Sequence, residues 1–281
     1  MKRARLLLVL AAAGGSAWWW WRDADASAGV TRFARRAVVP TPSVEALARR
    51  WGAATLPTTD TTGRAPQAAN GGGQLQLRVR VVGAAPALDA RDTTGLERPC
   101  RRAPRDAAVR VAPDGGLVGA LVWVDGPRLG RAPRGRRVVL ALTDCTLAPA
   151  IAVEPIGSTL ELFQRDSVRD SLVVQHVARA AADTIVFDAD GELVPLHTRD
   201  WPSGAVTVRS LRFGWSRALV FLAPNGTARL TSDAGTATLD SLAAGRHVVH
   251  VWHPHYGDAR ATVTVRAGGV VPATITVGAG R

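Results

Sequence analysis

Four histidines near the end of the chain have a spacing that could bind a metal ion. They are His247, His250, His253 and His255, in the stretch HVVHVWHPH. Imidazole nitrogens and carboxylate oxygens are ligands that zinc and copper(II) accept. His253 and His255 could face together, and Asp258 would add an oxygen. A copper or zinc site built from His250, His253, His255 and Asp258 is therefore one hypothesis for this segment.

The strand that must carry these histidines favours a different interpretation. Side chains alternate between the two faces of a β-strand, so His247 and His253 share one face while His250 and Trp252 share the other. The histidines can converge only if the chain bends, and Pro254 permits a bend without requiring it. We therefore expect ordinary histidines and no bound cofactor, and we keep the metal site as the alternative.

Catalytic motifs are absent from the sequence. The segment Phe213-Gly214-Trp215-Ser216 lacks the second glycine of a nucleophile elbow. No Walker loop and no dinucleotide-binding glycine pattern occurs. The sequence therefore predicts a protein that is not an enzyme.

The first residues have the pattern of an export signal. A basic start, MKRAR, precedes an apolar stretch at residues 6–21, and Ala26-Ser27-Ala28 offers a cleavage site. The tryptophan run at 18–21 would suit a membrane interface. Residues 1–28 are thus predicted to be a signal peptide, with an inner-membrane anchor as the alternative. The rest of the chain would be periplasmic or otherwise extracytoplasmic.

The strong positive charge does not indicate nucleic-acid binding. The 281 residues carry a formal net charge of +12, and 47% of them are hydrophobic. Lys2 is the only lysine, so nearly all of the excess is arginine, and aromatic residues make up only 5% of the chain. A single-strand-binding face would need clustered cations interleaved with aromatic rings. We expect no nucleic-acid partner.

The chain changes character near residue 75. Residues 29–74 are broken by prolines and by the Gly71-Gly72-Gly73 run, which predicts a linker. Within it, Ser43 could cap a short helix over residues 44–51. From residue 75 onward, short alternating segments separated by turn residues predict an all-β fold.

Two segments resemble a family of exported bacterial proteins. In the first, Asp144-Cys145, Pro149, Gly157 and the strand TLELFQRDSVRD are similar to the family's DC pair, proline, glycine and N-x-D-x-x-x-H motif. In the second, FGWSRALVFLAPNGTARL and the sequence that follows it are similar to an H-P-W-M site, a hairpin and a W-H tail. The resemblance covers about residues 76–270. The family is often labelled methylamine-utilisation-like.

This resemblance implies a fold of two β-units. Residues 75–215 would form a cupredoxin-like Greek-key β-sandwich. Residues 216–281 would form a smaller carboxypeptidase-regulatory-like β-sandwich unit.

The departures from the family fall on its metal ligands. By register, Asp170, Ser210, Phe213 and Ser216 stand where the family has histidine, cysteine, histidine and methionine. A blue-copper centre needs a cysteine thiolate and two histidines, commonly with a weak axial methionine. The resemblance therefore implies a scaffold whose copper ligands are lost.

Two cysteines lie in the part of the chain that is expected to be exported. An oxidising compartment permits Cys100 and Cys145 to pair. In the chain-entropy model such a crosslink is worth at most about 4 kcal/mol. We predict this disulfide, with two buried thiols as the alternative.

Three tryptophans are candidates for a binding surface. Trp201, Trp215 and Trp252 are the aromatic residues best able to line a groove for a sugar or a peptide, although core packing is the favoured interpretation for any one of them. By analogy with regulatory-like sandwiches, we expect an envelope protein or an envelope glycan as the partner.

Overall fold

The computed structural model describes residues 35–40, 71–83, 100, 109–125, 128–130, 133–188, 191–224 and 226–278, with side chains from residue 71 onward. Among the described residues no helix has the length and apolar character needed to cross a membrane. They contain nineteen strands: β1 (Arg35–Pro40), β2 (Gly73–Val82), β3 (Arg110–Val111), β4 (Leu117–Val118), β5 (Leu121–Val124), β6 (Arg137–Thr143), β7 (Thr146–Ala148), β8 (Ile151–Pro155), β9 (Thr159–Gln164), β10 (Asp170–His176), β11 (Ala181–Phe187), β12 (Leu193–His197), β13 (Gly204–Ser210), β14 (Arg217–Ala223), β15 (Ala228–Leu230), β16 (Thr236–Leu242), β17 (Gly245–His253), β18 (Gly257–Val265) and β19 (Val270–Gly278).

Strand β1 and strands β6 to β14 build a sandwich that we call the central sandwich. Its six-stranded sheet has the order β1-β11-β10-β13-β14-β8, and its four-stranded sheet has the order β12-β9-β6-β7. Alternation places apolar side chains between the sheets, as in β9, where Leu160 and Leu162 are buried. These leucines pack in one core with Leu140, Val206 and Val220.

Strands β2, β5 and β15 to β19 build a second sandwich, which we call the terminal sandwich. One sheet has the order β15-β5-β17-β18 and another has the order β16-β2-β19. The second sheet joins distant parts of the chain, because β2 runs parallel to β19 and antiparallel to β16. Its core contains Leu75 and Leu77 from β2 together with Val249 and Val251 from β17.

The sheets divide the chain differently from the predicted boundaries. Strand β2 was expected in the first domain (75–215), yet it pairs with two strands of the C-terminal part. Strand β14 was expected in the C-terminal unit (216–281), yet it pairs with β13 and β8 of the central sandwich. The central sandwich is thus inserted between the two halves of the terminal sandwich. The physical reason is that both edges of β2 pair with strands more than a hundred residues away, β16 and β19, and local patterns do not reveal such partners.

The predicted linker contains a strand. Within residues 29–74, β1 pairs antiparallel with β11 from Arg35↔Val186 to Pro40↔Ala181. An edge strand such as β11 offers a row of backbone groups that another segment can bond. The short helix expected over residues 44–51 and the leader at 1–28 lie outside the described residues.

A third apolar cluster joins the two sandwiches. Trp123 and Trp252 from the terminal sandwich pack with Leu219 and Phe221 from the central one. The rings of Trp123 and Phe221 lie 5.2 Å apart between centroids. The predicted all-β class is confirmed by these sheets.

Candidate functional site

The four positions that the family resemblance aligns with copper ligands lie at one end of the six-stranded sheet. Asp170 begins β10, Ser210 ends β13, and the loop carrying Phe213 and Ser216 leads into β14. The pairing of Leu172 with Ser210 sets β10 beside β13. All four residues are buried.

Ser210 is the centre of a hydrogen-bond network. Its hydroxyl donates to Asp170 Oδ1 at 2.9 Å. The hydroxyl oxygen of Ser210 also accepts from the amide of Phe213 at 2.7 Å and from the amide of Arg212 at 3.0 Å. The loop after β13 is therefore tied to the first residue of β10 through one side chain.

Ser216 closes the same loop from its other end. Its amide donates to the carbonyl of Phe213 at 2.8 Å, and its carbonyl accepts from the amide of Ser210 at 2.9 Å. Its hydroxyl accepts from the amide of Leu147, on β7, at 3.0 Å. Ser216 thus bonds both sheets of the central sandwich.

Asp170 holds a buried carboxyl group. Oδ1 accepts from Ser210 and from the amide of Ser171 at 2.7 Å. Oδ2 is buried and has no hydrogen-bond partner among the described residues. Burial raises the pKa of Asp170 above its ordinary value, against the opposing effect of its hydrogen bonds.

A disulfide lies against this network. Cys100 and Cys145 are bonded to each other, which confirms the predicted pair. Both cysteines pack with Phe213, and Trp215 covers the cluster. The indole Nε1 of Trp215 donates to the carbonyl of Cys145 at 3.0 Å.

The turn that carries Cys145 has its own support, which the sequence did not indicate. Asp144 and Cys145 have φ angles of 50° and 57°, as expected for a two-residue hairpin between β6 and β7. The carboxylate of Asp166 accepts the amides of Asp144 and Cys145 at 2.9 and 2.7 Å. Burial raises the pKa of Asp166 despite these bonds.

This side-chain set does not fit a blue-copper ion. It contains neither a thiolate nor an imidazole, and the sulfur of Cys145 is committed to a disulfide. The polar atoms of Ser210 and Ser216 instead bond backbone amides and Asp170. The network therefore holds the loop after β13 in place and does not form a metal site.

His250 belongs to a separate pair. Its Nε2 lies 2.5 Å from Asp125 Oδ2. Its ring stacks on Trp123, with centroids 4.8 Å apart and planes 9° from parallel. Its ring is therefore already engaged on the face of β17 that meets the central sandwich.

The other members of the hypothesised metal set lie elsewhere. His253 is fully buried, and its Nδ1 accepts from the amide of His255 at 3.2 Å. Asp258 is the cross-strand partner of Trp252, so it lies on the opposite face of the sheet from His253. Within the described part of the chain, no group of three histidine, cysteine, aspartate or glutamate side chains is placed to hold a metal ion. The rings of His253 and His255 do lie together, 5.9 Å apart between centroids. The full set is not assembled, because His250 and Asp258 lie on the opposite face of the sheet from His253.

The three candidate tryptophans have different environments. Trp252 is 1% exposed between the two sandwiches, which corrects its assignment to a binding surface. Trp201 is half-buried, and the guanidinium of Arg179 lies 4.6 Å from its ring centroid. Trp215 is half-buried over Phe213, at 5.4 Å between centroids. Trp201 and Trp215 retain exposed surface.

The central sandwich is thus a β-sandwich of a six-stranded and a four-stranded sheet, and the residues at these four positions offer neither a thiolate nor an imidazole. No protein-family model matches the chain. No curated protein matches it either.

Two solved cupredoxins are similar to this chain in fold. The purple cupredoxin from Nitrosopumilus maritimus aligns at 14% identity over 31% of this chain and 99% of its own, with a TM-score of 0.24. Auracyanin B aligns at 12% identity over 36% of this chain and 99% of its own, with a TM-score of 0.25. Both likenesses concern the fold alone.

Proposed function

We propose that this chain is an exported, non-catalytic scaffold that binds a partner protein or an envelope glycan. In this proposal the central sandwich keeps a cupredoxin-like frame, and a hydrogen-bonded core replaces the copper centre. The observation that carries the proposal is the Ser210 network. One hydroxyl bonds Asp170 and two loop amides, so the positions that would hold the metal bond one another.

The disulfide supports an exported location. Cys100 and Cys145 are both buried, and their bond joins the segment before β3 to the hairpin after β6. Disulfides of this kind persist in oxidising compartments and are rare in the cytosol. The proposal therefore includes an extracytoplasmic location. The leader would either be cleaved or be retained as a membrane anchor.

Metal analysis of the purified protein tests the proposal. After exposure to copper and zinc followed by dialysis, the wild-type protein should hold no stoichiometric metal and show no intense visible absorption. One tightly held ion that is removed by His253→Ala would overturn the proposal in favour of a histidine metal site. A His197→Ala variant is the matched control, because His197 lies on β12 of the central sandwich.

Introducing the family's four copper ligands tests whether these four positions correspond to the family's metal site. The fourfold variant Asp170→His, Ser210→Cys, Phe213→His and Ser216→Met should acquire copper binding and the strong visible band of a copper–thiolate bond. The threefold variant that retains Ser210 should lack this band. A fourfold variant that folds, as judged by circular dichroism, yet binds copper no better than wild type would refute the assignment of these positions.

A further inference from the structure

A groove runs between the two sandwiches and is bordered by two strand edges. It has a volume of about 570 Å³. Strand β8 is the last strand of the six-stranded sheet, and β15 is the last strand of its own sheet. The apolar lining of the groove includes the described residues Val138, Ala152, Val153, Ala223, Ala228 and Leu230.

The β8 edge presents backbone groups to the groove. The amide of Leu219 donates to the carbonyl of Ala150, and the amide of Ile156 donates to the carbonyl of Ala223. In a parallel ladder alternate residues bond the same neighbour, so the even-numbered residues of β8 bond β14. The N–H and C=O of Val153 therefore point away from β14, toward the open edge.

The β15 edge is arranged in the same way. The amide of Val124 donates to the carbonyl of Thr227, and the amide of Thr231 donates to the carbonyl of Ala120. Odd-numbered residues of β15 therefore bond β5, by the alternation of an antiparallel ladder. The amide of Leu230 points away from β5.

The rim of the groove is positively charged. Arg134, Arg136 and Arg229 line it together with a single carboxylate, Glu154. Glu154 is 3% exposed, and Arg136 bonds both of its oxygens, at 2.6 and 3.1 Å. That pair neutralises itself, so the charges of Arg134 and Arg229 remain.

Arg229 is held in place at the rim. Its Nη1 donates to the carbonyls of Gly226 and Ala228, at 3.1 and 2.8 Å. A guanidinium fixed in this way still presents donors to a carboxylate, since it carries five N–H groups. The groove thus combines edge backbone groups, an apolar lining and two arginines, Arg134 and Arg229, that form no ion pair with a described carboxylate.

We propose that this groove binds an extended acidic peptide segment of a partner protein, which adds as a strand to the β8 edge. Backbone bonds to Val153 would supply affinity, alternate apolar side chains would enter the lining, and carboxylates would meet Arg134 and Arg229. The proposal rests on the binding function proposed above and selects a protein as the partner. No aromatic ring lies among the described lining residues on which a sugar could stack.

Prolines limit how much peptide can pair. Pro155 ends β8, and its carbonyl already accepts the Ser158 hydroxyl at 2.8 Å. Pro149 lies just before β8 and also lines the groove. We therefore expect pairing over a short segment of the peptide, centred on Val153.

Fluorescence polarisation with the full chain and a labelled five-residue peptide of alternating glutamate and valine tests the proposal. We expect saturable binding that weakens with added salt, and no binding of the lysine–valine counterpart. The double variant Arg134→Ser and Arg229→Ser should weaken binding at least about tenfold, a difference of about 1.4 kcal/mol. Arg266→Ser, an exposed arginine in the turn after β18, is the control and should bind like wild type.

Backbone pairing is tested from both partners. A peptide N-methylated at alternate residues should lose binding, and so should Val153→Pro, which removes an outward N–H at an edge position that tolerates proline. Failure of the acidic peptide to bind at millimolar concentration would overturn the proposal. So would binding that is indifferent to N-methylation.

Binding of a polyanionic oligosaccharide that Val153→Pro leaves unchanged would also overturn the proposal, in favour of a glycan groove. None of these outcomes changes the result expected from the metal analysis described above. Failure of the groove proposal and failure of the scaffold proposal are therefore distinguishable.

Discussion

Replacing Ser210 by alanine removes the hydroxyl at the centre of the buried network. The substitution deletes one oxygen and leaves the backbone of β13 unchanged. Three partners lose a hydrogen bond: Asp170 Oδ1 at 2.9 Å, the amide of Phe213 at 2.7 Å and the amide of Arg212 at 3.0 Å. Their exposure decides how much each loss costs.

The amide of Phe213 carries most of the expected cost. Phe213 is 2% exposed, so water cannot readily replace the serine oxygen. A buried donor left without a partner costs about 1–3 kcal/mol, and a hydrogen bond to a charged group adds a comparable amount. Asp170 keeps the bond from Ser171, and Arg212 is exposed, which reduces the total. We expect the free energy of unfolding to fall by about 2–4 kcal/mol.

Urea unfolding followed by circular dichroism measures this loss. Ser171→Ala is the control, because its hydroxyl makes no hydrogen bond to a described residue and the residue is only half-buried. The control should stay within about 0.5 kcal/mol of wild type. If Ser210→Ala were no more destabilising than Ser171→Ala, the network would not be the structural core that we infer.

Three further results are expected. Burial raises the folded-state pKa of Asp170, so the folded state binds more protons than the unfolded state, and the stability present at acid pH falls as the pH rises above the ordinary pKa. Asp170→Asn should therefore flatten the decline of the urea midpoint as the pH rises above the ordinary aspartate pKa of about 4. Replacing both Cys100 and Cys145 by serine should lower the free energy of unfolding by about 2–4 kcal/mol. Trp252→Ala should cost about 3–5 kcal/mol in the same assay, because the ring fills the contact between the sandwiches.

Each of these has a control and a contrary outcome. The pKa of Asp166 is raised in the same direction, so some decline with pH should persist in Asp170→Asn, and an unchanged profile would contradict the assigned cause. Wild-type protein in reductant should lose as much stability as the double serine variant. Trp201→Ala should cost less than Trp252→Ala because Trp201 is partly exposed, and equal losses would refute the burial argument.

Much of the fold could be predicted, because the alternation of apolar and polar residues along a strand is visible in the sequence. The pattern of TLELFQ marks an inward face in the sequence, and it is realised as β9. The pairing of Cys100 with Cys145 followed from an even cysteine count in a chain that is expected to be exported, and it is confirmed. The all-β class is confirmed for the same local reason.

Side-chain partners could be predicted less well. The sequence placed Ser210, Phe213 and Ser216 close along the chain, but not the bond from Ser210 to Asp170, forty residues earlier. Likewise, the histidine spacing allowed a metal site, and only the partner strand showed that Asp258 faces away from His253.

The sequence by itself predicted a strand-rich protein and the pairing of its two cysteines, and both predictions are confirmed. Tertiary structure alone decided that β2 joins β16 and β19, that the central sandwich is inserted between them, and that Trp252 is buried. The physical reason is that alternation shows which face of a strand is apolar but not which distant strand will cover it. That choice is made by hydrogen bonding and packing between segments that are remote in sequence.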